Sequence, residues 1–480
     1  MFRKTRWYTV VLFILVLTLL AACGGKATPT KAPAPTKAAE QPTKASAKPT
    51  PTKAPEKPTP TKVQEKPTPT KAPEKPAAEK VTLRVWTHQN ESFNNAYKAL
   101  ADKYMAAHPN VEIKFETFDY DTYIQTLQTA LPAGTEADVL QMFGSWVCSY
   151  AEGNNLAEVP ADMLTVDKAK EMFFGPPVGG YICGGKLYGV PQEFNIEYGA
   201  GLVNTKLAQE VGATNYEKGW KTWDDLIADA KKMTVIEDGA MTRAGFMFTH
   251  ADGISTMFYS LIRQYGGQYL QDGTFKVTTP EAEKALALMK RFVDEKVVDP
   301  VLFNDEENWV GDAYFEGMVG IAVIGPWVIP EYGGDYPDMV KVSKYVKLPY
   351  EGDKPTFVAA SGWGLTVSAH SKVKDAAWDF VKFVTLNADN ALEWNLGTGT
   401  LPAMRANAEG PGKEKLVGEF PYFEPFLEIL PYGVYEGQFP DRDYVWYEVT
   451  YPEVLNFLQG NQTAEETLKN IEQAVQDSMK

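Results

Sequence analysis

Residues 49–75 repeat one nine-residue unit three times, PTPTKAPEK, PTPTKVQEK and PTPTKAPEK, and this tract limits what the chain can fold into. From Lys26 to Lys80 the residues are almost all Pro, Thr, Lys, Ala and Glu, with Val63 the only large aliphatic side chain. Such a stretch has no apolar surface to offset chain entropy, so it is expected to stay disordered. Its prolines favour extended polyproline II, and at about 3.1 Å per residue the stretch would reach roughly 170 Å. Folding is therefore expected of residues 81–480 only.

The residues upstream read as an export signal. Arg3, Lys4 and Arg6 precede sixteen uncharged residues, WYTVVLFILVLTLLAA (7–22), that end in small side chains. That layout is a secretory signal. The alternative is an uncleaved anchor, although the run falls short of the roughly 20 apolar residues a spanning helix needs. Leu20-Ala21-Ala22-Cys23 resembles the bacterial lipoprotein box. The resemblance implies a signal peptide at 1–22 and a diacylglyceryl group on Cys23. Residues 23–80 would then form a lipidated tether that holds the rest at the outer face of the cell membrane.

Charge separates along the same boundary. The chain carries 47 basic and 62 acidic residues, net −15. Setting aside the leader's three basic residues, and the twelve lysines and five glutamates of 24–80, leaves 32 and 57, or −25, for 81–480. An acidic body argues against nucleic acid as a partner and suits neutral or cationic ligands. Four hundred residues exceed one hydrophobic core, so at least two domains are expected. Cys148 and Cys183 remain once Cys23 is taken, and in an exported protein an even remainder points to a disulfide, with two buried thiols as the alternative.

The folded part opens with α/β punctuation. VTLRVWT (81–87) is a β-rich run, and Phe93, Tyr97, Leu100, Tyr104 and Met105 then form a helical stripe that Pro109 ends. VEIKFETF (111–118) alternates as a half-buried strand does. A second helix near DTYIQTLQTAL leads to the strand ADVLQMF (137–143), the start of a sheet layered with helices. Thr222 with Asp225, Thr279 before Pro280, and Thr463 with Glu466 are helix-capping signals. Ligands of open α/β sheets sit beyond the carboxyl ends of strands, which directs attention past Trp86 and past Phe143.

Five later blocks carry a resemblance. GGKLYGVPQEFNIEYGAGLVNTKLAQE (184–210), WKTWDDLIADAKKMT (220–234), YFEGMVGIAVIGPWVIPEY (314–332), SGWGLTVSAHSKVKDAAWDFVKFVT (361–385) and GTGTLPAMR (397–405) resemble, in order, segments of the maltose-binding-protein-like extracellular solute-binding proteins. One departure is that the family's usual paired tyrosines are Leu202 and Val203 here. The resemblance implies an α/β, two-lobed periplasmic-binding-protein-like fold (type II) whose lobes are joined by three hinge crossings. Lobe 1 would take 81–195 with 348–398, and lobe 2 would take 198–345 with 403–480. It further implies a monomer that captures a sugar or oligosaccharide between its lobes and delivers it to the permease of an ATP-driven importer.

Sugars present hydroxyls to polar side chains and C–H faces to aromatic rings, so Trp and Tyr with a few carboxylates or amides suffice. Trp223 and Trp378 lie on amphipathic helices and suit core packing. Trp86, Trp146, Trp309, Trp327, Trp363, Trp394 and Trp446 stand at strand ends or in loop-like segments, where core packing is the competing role. By resemblance Trp327 and Trp446 rank first as stacking rings. Further candidates are His88, Gln89 and Asn90 after the first strand, Asp119 after the second, and Ser145 and Trp146 after the third. Gln192, Asn195 and Glu197 on the first crossing, Trp363, and Arg405 complete the set, with Arg405 alternatively pairing with a lobe carboxylate.

Rival classes lack their signatures. There is no G-x-S-x-G or H-E-x-x-H, and the four histidines show no metal-ligand spacing, so no catalytic residue, metal or cofactor is expected. An exported carbohydrate-active hydrolase would need a placed carboxylate pair, which acidic composition alone can mimic. A phosphate ligand such as glycerol phosphate would want converging basic residues, which are scarce in the candidate loops. A peptide ligand, or coupling to a sensor rather than an importer, remains open on these residues.

Overall fold

The computed structural model describes residues 80–248, 250–300 and 310–480. The signal reading, Cys23, the repeat tract and Trp309 lie outside them. The opening alternation forms as the periodicity predicts: β1 (Val81–His88), α1 (Glu91–Ala107), β2 (Val111–Phe118), α2 (Tyr120–Ala133) and β3 (Val139–Phe143). The stripe of α1 is buried at Phe93, Tyr97, Leu100 and Tyr104, which anchors the helix on its sheet. At about 25 cal/mol per Å2 of apolar area, such burial rather than propensity holds a helix in place.

Two five-stranded sheets organise the described chain. In the first, β2, β1 and β3 run parallel, followed by the antiparallel strand Trp363–Val367 and then Val190–Pro191. The second has the order Ser343–Lys347, Ala200–Asn204, Val319–Val323, Ala240–Phe248, Val235–Glu237. Each sheet has its own core of buried side chains. The expected caps are present, with full capping boxes at Thr222 and Thr463 and Thr279 capping the helix Pro280–Asp294. Each such cap is worth about 1 kcal/mol.

The chain passes between the sheets three times: after Pro191, between Lys347 and Trp363, and after the helix Ala388–Thr398. The crossings meet. Phe194 N–H donates to Leu401 O at 2.8 Å, Glu193 bridges Pro402, and Glu193 Oε1 accepts from Trp363 N–H at 3.1 Å. The second crossing turns later than position 348, because Phe357–Ala359 still packs in the second core and pairs with Gly433–Tyr435.

Cys148 and Cys183 are joined as a disulfide with Cα atoms 5.4 Å apart. It ties α3 (Gly144–Glu152) to the hairpin Ile182–Leu187. Gly144 opens α3 where a Cβ would meet Ser361 Cβ at 2.2 Å, so only glycine fits this approach. Gly144 N–H donates to Gly362 O at 2.9 Å, and Gly362 itself has φ +75°.

Candidate functional site

A cavity of about 200 Å3 lies between the two lobes. Its lining comes from both sheets and from the crossings. Phe143 ends β3, Trp146 follows on the first turn of α3, and Tyr120 begins α2. Trp363 pairs with Phe143 across antiparallel strands, which brings it to the carboxyl edge of the first sheet. Asn195 and Glu197 come from the first crossing, Asp252 and Thr256 from the helix His250–Gln264, and Arg442, Asp443 and Tyr447 from the chain around the π-helix Tyr444–Thr450. Asp252 and Thr256 are four residues apart and so share a helix face.

The first lobe's wall is aromatic. Phe143, Tyr120 and Trp146 stand against Trp363 at interplanar angles of 76°, 86° and 89°, with ring centroids 5.3, 6.3 and 5.4 Å away. His88 stacks on Trp363 at 4.3 Å and 14°. Burial pushes the His88 imidazole down to about 4, while the Gln141 carboxamide, 3.0 Å from Nδ1, opposes that shift. The ring is therefore neutral near pH 7 and braces Trp363.

The second lobe's wall is charged. Arg442 is 8% exposed and lies at the centre of three carboxylates. Its Nη2 donates to Asp252 Oδ1 at 2.8 Å, Nε to Glu436 Oε2 at 3.2 Å, and Nη1 to Asp443 Oδ1 at 3.4 Å. Tyr447 OH donates to Asp252 Oδ2 at 2.6 Å. Burial pushes Glu436 up to about 7 against the pull of Arg442. Glu197 is pushed up to about 8, first by burial and then by Asp252, although it accepts from Trp327 Nε1 at 2.7 Å and from Gly325 N–H at 3.2 Å. The two lobes touch at the rim, where Ser149 Oγ donates to Pro440 O at 3.3 Å. Among the described residues no cluster of three His, Cys, Asp or Glu could hold a metal ion.

The structure gathers Trp146, Asn195, Glu197 and Trp363 from the sequence candidates onto this lining. Others stand one step behind. Trp327 is half-buried and orients Glu197, and His88 backs Trp363. Gln192 is 5% exposed and accepts from Tyr97 OH at 2.5 Å, and Ser145 Oγ is buried beside Trp146.

Five candidates are corrected. Trp446 is fully buried, packed on Tyr259 and Phe439, with the Arg442 guanidinium 4.6 Å over its ring, so it supports the wall rather than facing a ligand. Asn90 and Asp119 are helix N-caps, accepting from Phe93 N–H and Thr122 N–H, and their exposed neighbour Gln89 donates its N–H to Phe118 O. Arg405 donates to Phe173 O at 3.1 Å and lies over the Phe174 ring, reaching neither the cavity nor a lobe carboxylate. Trp86 and Trp394 are core residues. Sequence reasoning missed Tyr120, Phe143, Asp252, Thr256, Arg442 and Tyr447. The strand-end signal could have found two of them, Phe143 at the end of β3 and Tyr120 just past the end of β2.

Two lobes around a lined cleft define a ligand-binding protein, and comparison with known proteins gives the family. The sequence profile of the bacterial extracellular solute-binding proteins matches residues 90–391, and the chain belongs to that family. It is 28% identical to the maltotriose-binding protein of Pyrococcus abyssi over 330 residues, 67% of this chain and 66% of that one. It is 23% identical to the galactooligosaccharide-binding protein of Bacillus subtilis over 68% of this chain and 74% of that one. Among solved structures, the cyclic alpha-maltosyl-1,6-maltose binding protein of Arthrobacter globiformis superposes with a TM-score of 0.68 at 22% identity, covering 83% of this chain and 99% of that one. That likeness establishes the shared two-lobed fold.

Proposed function

We propose that the protein captures a carbohydrate between its lobes and delivers it to the permease of an ATP-driven importer. The observation that carries this reading is the mixed lining, in which the rings of Trp146 and Trp363 share one cavity with the polar set of Asn195, Glu197, Asp252 and Tyr447. A pyranose has the same two-sided chemistry, C–H faces for rings and hydroxyls for carboxylates and amides. Family membership and the sugar ligands in the relatives' names support the same assignment. A volume of about 200 Å3 lies below the roughly 300–1,000 Å3 of common small-molecule sites, which favours one or two sugar rings over a long oligosaccharide.

The protein acts by binding, without turnover, and works as a monomer whose lipidated Cys23 and repeat tract keep it near the permease. A lipid hook limits diffusion away from the membrane, and a long tether lets the lobes reach the transporter. The test is a thermal-shift screen of residues 81–480 against mono- and oligosaccharides, amino acids and phosphates. A ligand bound only by the folded form adds about 2.7 kcal/mol at a hundredfold excess over its dissociation constant. At least one saccharide should raise the melting temperature, be recovered intact, and bind about tenfold or more weakly to Trp146→Ala and Trp363→Ala. A panel in which only phosphates or amino acids respond would overturn the carbohydrate assignment. Mass spectrometry of the mature amino terminus tests the acyl group on Cys23.

A further inference from the structure

The two cavity walls differ in charge more than a neutral ligand requires. Among the described residues the lining holds three carboxylates, Glu197, Asp252 and Asp443, and one cation, Arg442. That cation is already committed to Asp252, Glu436 and Asp443 through all three of its nitrogens, so it is no free hook for an anion. With Glu436 counted, four carboxylates stand against one guanidinium. Asp443 is half-exposed, whereas Glu197 and Glu436 are enclosed and offset the cost of burial by holding protons toward neutral pH, so an arriving cation would favour their charged forms.

Across the cavity the rings meet at steep angles. Phe143, Tyr120 and Trp146 all stand near-perpendicular to Trp363, which makes a box rather than a single stacking platform. Ring faces carry negative quadrupole density, and boxes of this kind attract ammonium groups. His88 behind Trp363 is neutral near pH 7, so the aromatic wall adds no opposing positive charge.

From this juxtaposition we infer that the natural ligand is a carbohydrate bearing an unacylated ammonium group, with the ammonium held between the Trp363 box and the Asp252 and Glu197 carboxylates. The inference rests on the carbohydrate reading and narrows it. Glu197, pushed up to about 8, holds its proton in the empty cleft near neutral pH and gives it up when an ammonium settles beside it. Binding therefore releases a proton.

The experiment is calorimetry at pH 6.5 and low salt on residues 81–480, using matched pairs. Glucosamine, galactosamine, mannosamine and the fully deacetylated chitobiose are each compared with the N-acetylated and the hydroxyl counterpart. The ammonium member of at least one pair should bind tenfold or more tightly than its counterparts, with a preference that shrinks as salt rises. Asp252→Asn and Glu197→Gln should each reduce that ratio, and the second leaves the Arg442 ion pairs in place if the first fails to fold. Runs in two buffers of different ionisation enthalpy should reveal the released proton. Neutral or acetylated members binding as well as or better than every ammonium member would overturn the inference and leave the carbohydrate reading standing. Choline responding while every saccharide fails would overturn both.

Discussion

The two walls of the cleft are built from opposite materials. On the first lobe Trp363, Trp146, Phe143 and Tyr120 are held by ring-on-ring packing at the carboxyl edge of a sheet. On the second lobe Arg442, Asp252, Glu436 and Tyr447 are held by hydrogen bonds between charges brought together from distant parts of the chain. An aromatic wall keeps its shape when one ring is lost, because packing is spread over many contacts. A charged wall fails as a unit, since each member's desolvation is offset only by the others.

The sharpest way to break that contrast is Arg442→Met. Removing the single cation leaves three carboxylates crowded together, and losing one partner of a buried pair costs about 3–5 kcal/mol. At roughly 2–4 °C per kcal/mol for lobes of this size, the melting temperature should fall by about 6–20 °C, with ligand binding lost as well. Trp446→Ala should destabilise comparably, by about 3–5 kcal/mol, because it is a core ring beneath Arg442. Trp146→Ala, on a half-buried ring, should spare the melting temperature and weaken the complex. If Arg442→Met instead melts like the parent and only loses affinity, the guanidinium is a ligand hook and the wall is not a unit.

Reducing the disulfide loosens the aromatic side alone. Cys148 and Cys183 lie 35 residues apart, a closure worth roughly 3–4 kcal/mol by chain entropy, although measured values often fall short. Cys148 shares α3 with Trp146, so reduction should lower the melting temperature by several degrees and weaken ligand binding at one edge of the box. Two titratable thiols in the unreduced protein, or unchanged melting after reduction, would remove this brace from the account.

Legibility in the sequence followed the same divide. The first sheet's opening was readable because helical and strand periodicities switch cleanly between residues 81 and 143, with Pro109 and the caps marking the ends. Trp146 and Trp363 were readable because they stand at strand ends, and Asn195 and Glu197 through the resemblance, which places a crossing there. The charged wall had no local signal. Asp252 meets Arg442 across 190 residues, and in a chain this acidic a single aspartate carries no pattern. Trp446 misled because it was ranked by resemblance alone, whereas here its ring is fully buried against Tyr259 and Phe439 and Arg442 lines the cavity instead. Asn90 and Asp119 sat at the right strand ends but serve as helix caps, and Asp or Asn in that position fits either role.

The mildest test acts on one carboxyl at the seam between the walls. Glu197 is faced by the Trp327 and Gly325 N–H donors and by the Asp252 and Glu193 carboxylates, and burial with Asp252 raises it from 4.5 to about 8. Between those two values the folded form holds a proton that the unfolded chain has lost. Its contribution to stability is therefore complete below about pH 4.5, declines as pH rises, and is gone above 8. Glu197→Gln resembles the protonated carboxyl and does not titrate, so it escapes this decline. Because Glu197 is only half-buried and its neighbours relax, the difference should be small, about 1 kcal/mol or 2–4 °C. The variant's melting temperature should thus track the parent's at pH 5 and exceed it progressively toward pH 8. A gap that is constant with pH would mean that Glu197 is already ionised in the empty cleft. Its charge would then be balanced by the N–H donors of Trp327 and Gly325, and the two walls would be coupled through that pair rather than through an incoming cation.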